Sequence, residues 1–399
     1  MLIAHKIALD PNDVQATWLA RTAGTARFAY NWALAEWRRQ YAAHQADPSQ
    51  PQPSQLALRR QLNAIKRDAF PWMLEVTKNA PQMAIIQLGE AFKNFFAHRA
   101  RHPTFRKKGR DDRFSLTNDQ FRVADRRIHI PKLGWVRMRE QLRFNGRMVS
   151  ATVSRTAGRW HASITVDVPD PILPQAENQG AVGVDLGVLR LATLSTGETW
   201  TGPKALRSLL GRLRRLSRAL SRKVKGSRNR TKAKARLAKL YARIANLRCD
   251  SLHQLSSSLT RRFHTIGIED LNVKGMLGNR RLARAVADMS FYALRRQLEY
   301  KAAWRGAKIV VAERWYPSSK TCSHCGYRLE ILALGVRRWS CPDCGKEHDR
   351  DVNAAINLKN LAVSSTATAC GGEGAGPVRE HLAKPAPAKQ ESSGEVNYG

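Results

Sequence analysis

The sequence predicts an α/β core region carried behind an α+β amino-terminal region, with a basic helical hairpin and a four-cysteine ribbon inserted in the core. Three observations predict it. Two short apolar segments, AVGVDLG (181–187) and HTIGIEDL (264–271), each place an acid two positions after a glycine. Between them, residues 204–248 hold 17 Lys or Arg and no Asp or Glu. After them come two Cys-x-x-Cys pairs with 15 residues between.

In chain order, Leu2 to Leu9 alternates as a strand does, and Asp10-Pro11-Asn12 stops it. Residues 13–44 place Trp18, Leu19, Ala23, Ala26, Tyr30, Ala33, Leu34 and Trp37 near helical spacing. A polar, proline-rich loop (45–53) precedes helices at about 54–68 and 80–99. In 100–114, basic residues interleave with Phe105 and Phe114, which suit either base stacking or a core. Short strands follow, and 148–168 reads as a hairpin turning at Ala157-Gly158. The first region is thus a helical bundle inserted into a small β-unit that pairs the first strand with 115–168.

Residues 169–179 read as a linker. The second region opens with two or three antiparallel strands turning at Ser195-Thr196-Gly197. In 204–248, Leu206, Leu209, Leu213, Leu216 and Leu220 recur at helical spacing, as do Leu237, Leu240, Ile244 and Leu247 after KGSRNR, which reads as a basic helical hairpin with one apolar stripe. A helix at 250–263, the strand HTIGIEDL, a helix at 283–305, the strand KIVVAE and the helix DVNAAINLKNLA complete the pattern. Residues 363–399 are rich in Gly, Ser, Ala and Pro and are expected to be disordered.

The chain carries 68 basic and 32 acidic residues, net +36. Such an excess repels itself, so it points to a polyanionic partner. No run of 18 apolar residues exists to span a membrane, and MLIAHKIALDPNDV lacks the apolar segment of a signal peptide. The expectation is a soluble, cytoplasmic nucleic-acid-binding protein.

Asp185 falls on the glycine-bearing face of its strand with Gly183 and Gly187, and Glu269 falls on that of Gly267. A carboxylate in a buried strand is costly without a cation or partner, and glycines let backbone or ligand approach closely. Asp351 starts a helix that Asp349 caps; alone it reads as a capping-turn residue. Together, two acids late in strands and one at a helix start match an RNase H-like site holding two Mg²⁺ for phosphodiester cleavage. Asp270 reads as a solvated strand-end residue.

Cys322, Cys325, Cys341 and Cys344 form two knuckles, each followed by a glycine that permits the tight turn. Four thiolates make a closed, structural Zn²⁺ site complete without His324 or His348. Cys249 reads as a packed thiol and Cys370 as an exposed one.

The motifs GVDLG, GIEDLNVKGM, WYPSSKTCSHCG and CPDCGKEHDRDVNAAINL, with FRKKG, IPKLGW and RQLEYKAAWRG, resemble the TnpB proteins of insertion sequences. The resemblance covers roughly residues 1–362. TnpB proteins were historically described as transposases, and the family includes RNA-guided DNA endonucleases. It implies a wedge-like β-barrel (1–12 and 115–170) holding a helical recognition domain (13–114). It also implies a RuvC-type RNase H-like nuclease domain (180–319 and 347–362) and a zinc ribbon (320–346). By motif match, Asp185, Glu269 and Asp351 are the catalytic, Mg²⁺-binding positions and the four cysteines bind zinc. The family further implies a guide RNA from the element's end and double-stranded target DNA read at a short adjacent motif. Lys78, Gln82, Thr117 and Asn118 match segments that contact that motif. Arg106, Lys107 and Lys108 lie in the basic segment expected to hold phosphates. Two alternatives stay open: a transposase that transfers strands itself, and a non-catalytic zinc-ribbon regulator.

Overall fold

The computed structural model describes residues 1–169, 175–333 and 335–367. The predicted tail from 368 onward, Cys370 included, and linker residues 170–174 lie outside them. The described residues divide into two compact units, 1–169 and 175–367.

The first unit opens with β1 (Leu2–Asp10), whose alternation buries Ile3, Ile7 and Leu9. Asn12 starts α1 (Asp13–Ala46) through a capping box with Gln15. α1 packs through small residues, Ala23, Ala26, Ala29 and Ala33, which let neighbours come close. α2 (Gln55–Ala69) and α3 (Asn79–Phe96) complete the helical insertion. Then come β2 (Arg113–Thr117), β3 (Arg122–Ala124), β4 (Arg127–Ile130), β5 (Gly134–Met138), β6 (Arg147–Thr156) and β7 (Arg159–Asp167). β6 and β7 turn at Ala157-Gly158, both with positive φ as a two-residue hairpin turn requires. The sheet order is β2-β6-β7-β1-β5-β4-β3. β1 pairs with β7 along Leu2–Ala8 and with β5 only at Leu9 and Asp10. β2 and β3 end the order, so the pairing is that of an open sheet and does not show the closed barrel expected.

The second unit begins with β8 (Ala181–Asp185), β9 (Ala192–Leu194) and β10 (Thr199–Trp200). α4 (Ala205–Ser221) and α5 (Arg228–Arg262) follow. α4 packs on α5 by one stripe, Leu206, Leu209, Leu213 and Leu216 against Leu240 and Ile244. α5 is one helix of 35 residues. The break expected near 249 is missing because no Gly or Pro interrupts the ladder there. After β11 (Thr265–Ile268) and the unforeseen short α6 (Val273–Gly278), the helix expected at 283–305 is two. α7 (Ala283–Met289) and α8 (Phe291–Arg305) are split by Ser290 in the left-handed region. β12 (Lys308–Val311), the two ribbon strands β13 (Arg338–Ser340) and β14 (Glu347–Asp349), and α9 (Arg350–Ala367) close the unit. α9 runs on through 363–367, past the tail boundary that composition predicts at 363.

The core sheet is mixed, as predicted, in the order β10-β9-β8-β11-β12. β8, β11 and β12 are parallel, and β9 is antiparallel to β8. One face takes α9, and the contact is unusually close. Gly183 and Gly267 are register partners on β8 and β11. A Cβ on Gly183 would lie 1.8 Å from the Ala355 carbonyl oxygen and 2.4 Å from the Lys359 nitrogen, one turn apart on α9. A Cβ on Gly267 would lie 2.4 Å from the Leu358 oxygen. The paired glycines are the flat place on which α9 rests.

Gly183→Ala must therefore push α9 off the sheet. The expected cost is about 3 kcal/mol or more, a fall in melting temperature of roughly 6–12 °C. Gly211→Ala, on exposed α4 with open space around it, should be neutral or stabilising. Equal melting of the two variants by calorimetry would contradict the packing account.

Candidate active site

The site is set by register. β8 and β11 pair in parallel up to Val184 and Ile268. Continued by one residue, Asp185 stands beside Glu269, about 5 Å apart between strands. Both side chains point to the face that α9 covers, because Gly183 and Gly267, two residues earlier, meet α9. Asp351 lies one helical turn before Ala355, the residue over Gly183. The amino end of α9 thus points toward the carboxyl ends of the strands, and the three acids gather there. Asp349 accepts from the backbone N–H of Asp351 (3.0 Å) and of Val352 (3.1 Å), the cap expected of it.

The electrostatics record this gathering. Burial raises Asp185 well above the usual carboxylate range, and the negative charges of Glu269 and Asp351 raise it further. Arg350 and Arg337 oppose that rise. Burial also raises Glu269, against the pull of the Ser318 hydroxyl and Arg350. The Ser318 hydroxyl donates to Glu269 at 2.7 Å. Arg337 Nη1 donates to Asp351 at 3.2 Å. Carboxylates crowded in a desolvated place favour either a proton or a cation. The donor set is hard oxygen, which suits Mg²⁺. The three acids do not form one tight tripod, since the group of ligand atoms found within 4.8 Å of one another is that of the cysteines among the described residues.

That second group fits zinc. Cys322, Cys325, Cys341 and Cys344 bring their sulfurs within 4.8 Å of one another, all as free thiols. The Cys322–Cys344 and Cys325–Cys341 sulfurs are 3.7 and 3.6 Å apart. Tetrahedral Zn–S bonds of about 2.3 Å demand nearly this spacing. Gly326 and Gly345 take the positive φ of the knuckle turns. His348 Nε2 lies 3.0 Å from the Cys322 sulfur, beside the set and not part of it. Burial pushes the Cys322 thiol up, but the N–H groups of Cys325 and His324, together with His348, outweigh it and bring it to about 6.

Two buried asparagines, which the sequence reading passed over, join ribbon to site. Asn357 Nδ2 donates to the carbonyls of Ser318 (2.7 Å) and Thr321 (2.6 Å). Asn353 Nδ2 donates to Thr321 O (2.7 Å), and its oxygen accepts from Ser323 N (2.9 Å). The signal was present as two asparagines four residues apart on an otherwise apolar helix face. Ser318, Arg337 and Arg350 were also missed, and isolated residues of these types carry no such pattern.

Three residues stand differently from the reading above. Asp270 is no solvated end residue; it accepts from Arg295 (2.7 Å) and Arg314 (2.8 Å). Cys249 is exposed on α5 where packing was expected, because it falls outside the helix's buried stripe. Arg106 stacks 3.7 Å from the Tyr30 ring and donates to Gln87, and burial lowers its pKa to about 10. Its guanidinium is therefore held within the first unit, whereas Lys107 and Lys108 are exposed. Phe114 is core and Phe105 is exposed. Lys78 and Gln82 lie at the start of α3, Thr117 ends β2 and Asn118 follows it. Asn79 there donates to the Thr117 hydroxyl at 2.7 Å, and Lys78 Nζ lies 3.9 Å from Asp119.

Family models match three stretches: "Probable transposase" over residues 163–280, "Cas12f1-like, TNB domain" over 291–358 and "Helix-turn-helix domain" over 1–46. The third stretch is a strand and one unbroken helix in this structure. A protein of Streptomyces pristinaespiralis named "Putative RNA-guided DNA endonuclease" is 41% identical over 94% of this chain and 92% of its own length. A relative from Escherichia coli K12, with the same description and the name InsQ, is 33% identical over 93% and 94%. The Cas12f1 chain of a complex with sgRNA and target DNA covers 88% of this chain and 83% of its own at a TM-score of 0.52 and 15% identity, a likeness of fold.

With magnesium absent and zinc retained, the raised Asp185 and Glu269 should keep protons in the folded chain to a higher pH than in the unfolded chain. Their contribution to stability is then full below the ordinary carboxylate value and is lost as pH rises through the raised folded value. Asp185→Asn should flatten that slope in melting temperature against pH; an unchanged slope would refute the assignment. For the ribbon, a mercurial should release one zinc per native chain, and a folded Cys322→Ala, Cys341→Ala variant should release none. Full release from the variant would remove the four-thiolate site.

Proposed function

The chain belongs to the TnpB family, and on that premise we propose that it is a transposon-associated, RNA-guided DNA endonuclease whose acids are Asp185, Glu269 and Asp351. The observation that carries the site is the mutual crowding of these carboxylates at the strand ends under α9. The strand order supports an RNase H-like, RuvC-type core. Neither the strand-transferring transposase nor the zinc-ribbon regulator is favoured, since relatives matched over nearly their whole length are named as endonucleases.

In this reading the three acids hold divalent magnesium. Bound there, magnesium supplies an activated water and a countercharge for the leaving oxygen of the phosphodiester. The protein's part is placement. Ser318 fixes one oxygen of Glu269, leaving its other oxygen for the cation. Arg350 and Arg337 moderate the negative charge that the acids build up. The four cysteines hold zinc as a structural brace for the segment that carries Ser318 and for the start of α9.

Target choice is divided. Base pairing to a guide RNA reads the target, and the protein reads a short neighbouring duplex motif. Lys78, Gln82, Thr117 and Asn118 are the candidates for that reading, and the hydrogen bond from Asn79 to Thr117, which ties the start of α3 to the end of β2, supports a shared surface. Lys107, Lys108 and the exposed cations of α4 and α5 are suited to phosphates. No described helix is long and apolar enough to cross a membrane.

The test is cleavage by the chain with its copurified RNA. Asp185→Ala should bind guide-matched DNA with native affinity and cut at least about a thousandfold more slowly, the range seen when a group essential to the chemical step is removed. Native-rate cutting by that variant would overturn the assignment.

A further inference from the structure

Trp315 is 86% exposed. An indole left in water on a loose loop would mean little, but this loop is fixed on both sides of it. The residue before, Arg314, donates to the Asp270 carboxylate at 2.8 Å. Three residues after, Ser318 donates to the neighbouring carboxylate of Glu269 at 2.7 Å. Within the turn, Tyr316 N bonds Glu313 O and Ser318 N bonds Tyr316 O, at 2.9 and 2.8 Å. The Tyr316 hydroxyl reaches Asn357 O at 3.4 Å, and Pro317 fixes its own φ. A short turn is thus tied to two consecutive acids, one of them a candidate metal ligand, and holds a large aromatic ring in solvent beside them.

We propose that Trp315 is a base-stacking platform, which takes an unpaired nucleobase of the single strand whose phosphodiester enters the carboxylate site. The proposal rests on the nuclease reading for the identity of that strand. Aromatic faces stack on any base and so serve a strand whose sequence is read elsewhere. A ring already held in place loses little freedom on binding. The charge around the ring is balanced, since Arg314 and Arg295 both pair with Asp270 and Arg295 pairs also with Glu299. Position singles out the strand: the turn that presents the ring also fixes Glu269 through Ser318, so a base stacked there belongs to a strand at the carboxylate site.

The test uses the full zinc-loaded chain in the Asp185→Ala background, with an oligothymidylate carrying one fluorescent adenine analogue that stacking quenches. Trp315→Ala should weaken binding by about 5- to 100-fold and abolish the quenching, while Trp315→Phe keeps most of both. Zinc content and melting temperature should hardly move, because the residue is 86% exposed. Native binding and quenching by Trp315→Ala would overturn the proposal. So would an equal loss of affinity for duplex of the same sequence, or a change in self-association alone by sedimentation. Failure of the nuclease reading would appear separately, as an absence of guided cleavage by the native chain.

Discussion

The second unit depends on one close approach. α9 rests on β8 and β11 only because both strands carry glycine at the same register position. Any side chain there would strike the backbone of the helix. The approach does two things at once. It closes the core over Ala354, Ala355 and Leu358, and it brings Asp351 to the strand ends where Asp185 and Glu269 emerge. Packing and electrostatics are the same event, because the surface that desolvates the acids also delivers the third of them.

The crowding that results is unfavourable for the metal-free chain, and the structure shows how it is contained. Ser318 donates to Glu269, Arg337 pairs with Asp351, and Arg350 lies near enough to draw Asp185 and Glu269 down. All three of these residues lie within six positions of a ribbon cysteine. The carbonyls of Ser318 and Thr321 are held by Asn353 and Asn357, and His348 touches Cys322 just before the turn into α9. On the proposed reading, zinc braces the acid site through these short links although it takes no part in the chemistry.

Much of this was legible in the residues. Strand phase places Asp185 and Glu269 on the glycine face, because a period of two leaves no choice once one neighbour is known. The four cysteines were legible because their spacing encodes a single geometry. The capping role of Asp349 followed from local chemistry. What approached the glycines did not follow, since sequence cannot say whether a ligand or a helix fills the space. The break at Ser290 was missed because helical periodicity runs through it. The unbroken α5 was missed because its apolar stripe shifts from α4 to the core. The asparagines were overlooked because their partners are carbonyls in a segment 30 or more residues away. Arg106 looked like a phosphate contact because composition cannot distinguish a solvated arginine from one stacked on Tyr30.

The central claim is that Asp185, Glu269 and Asp351 form a cation site. Anomalous diffraction from crystals soaked in Mn²⁺ tests it most directly. The account predicts manganese density bridging these three side chains, with Arg337 released from Asp351 and the Ser318–Glu269 bond kept. Manganese bound elsewhere, with the three carboxylates unliganded and Arg337 still on Asp351, would contradict it.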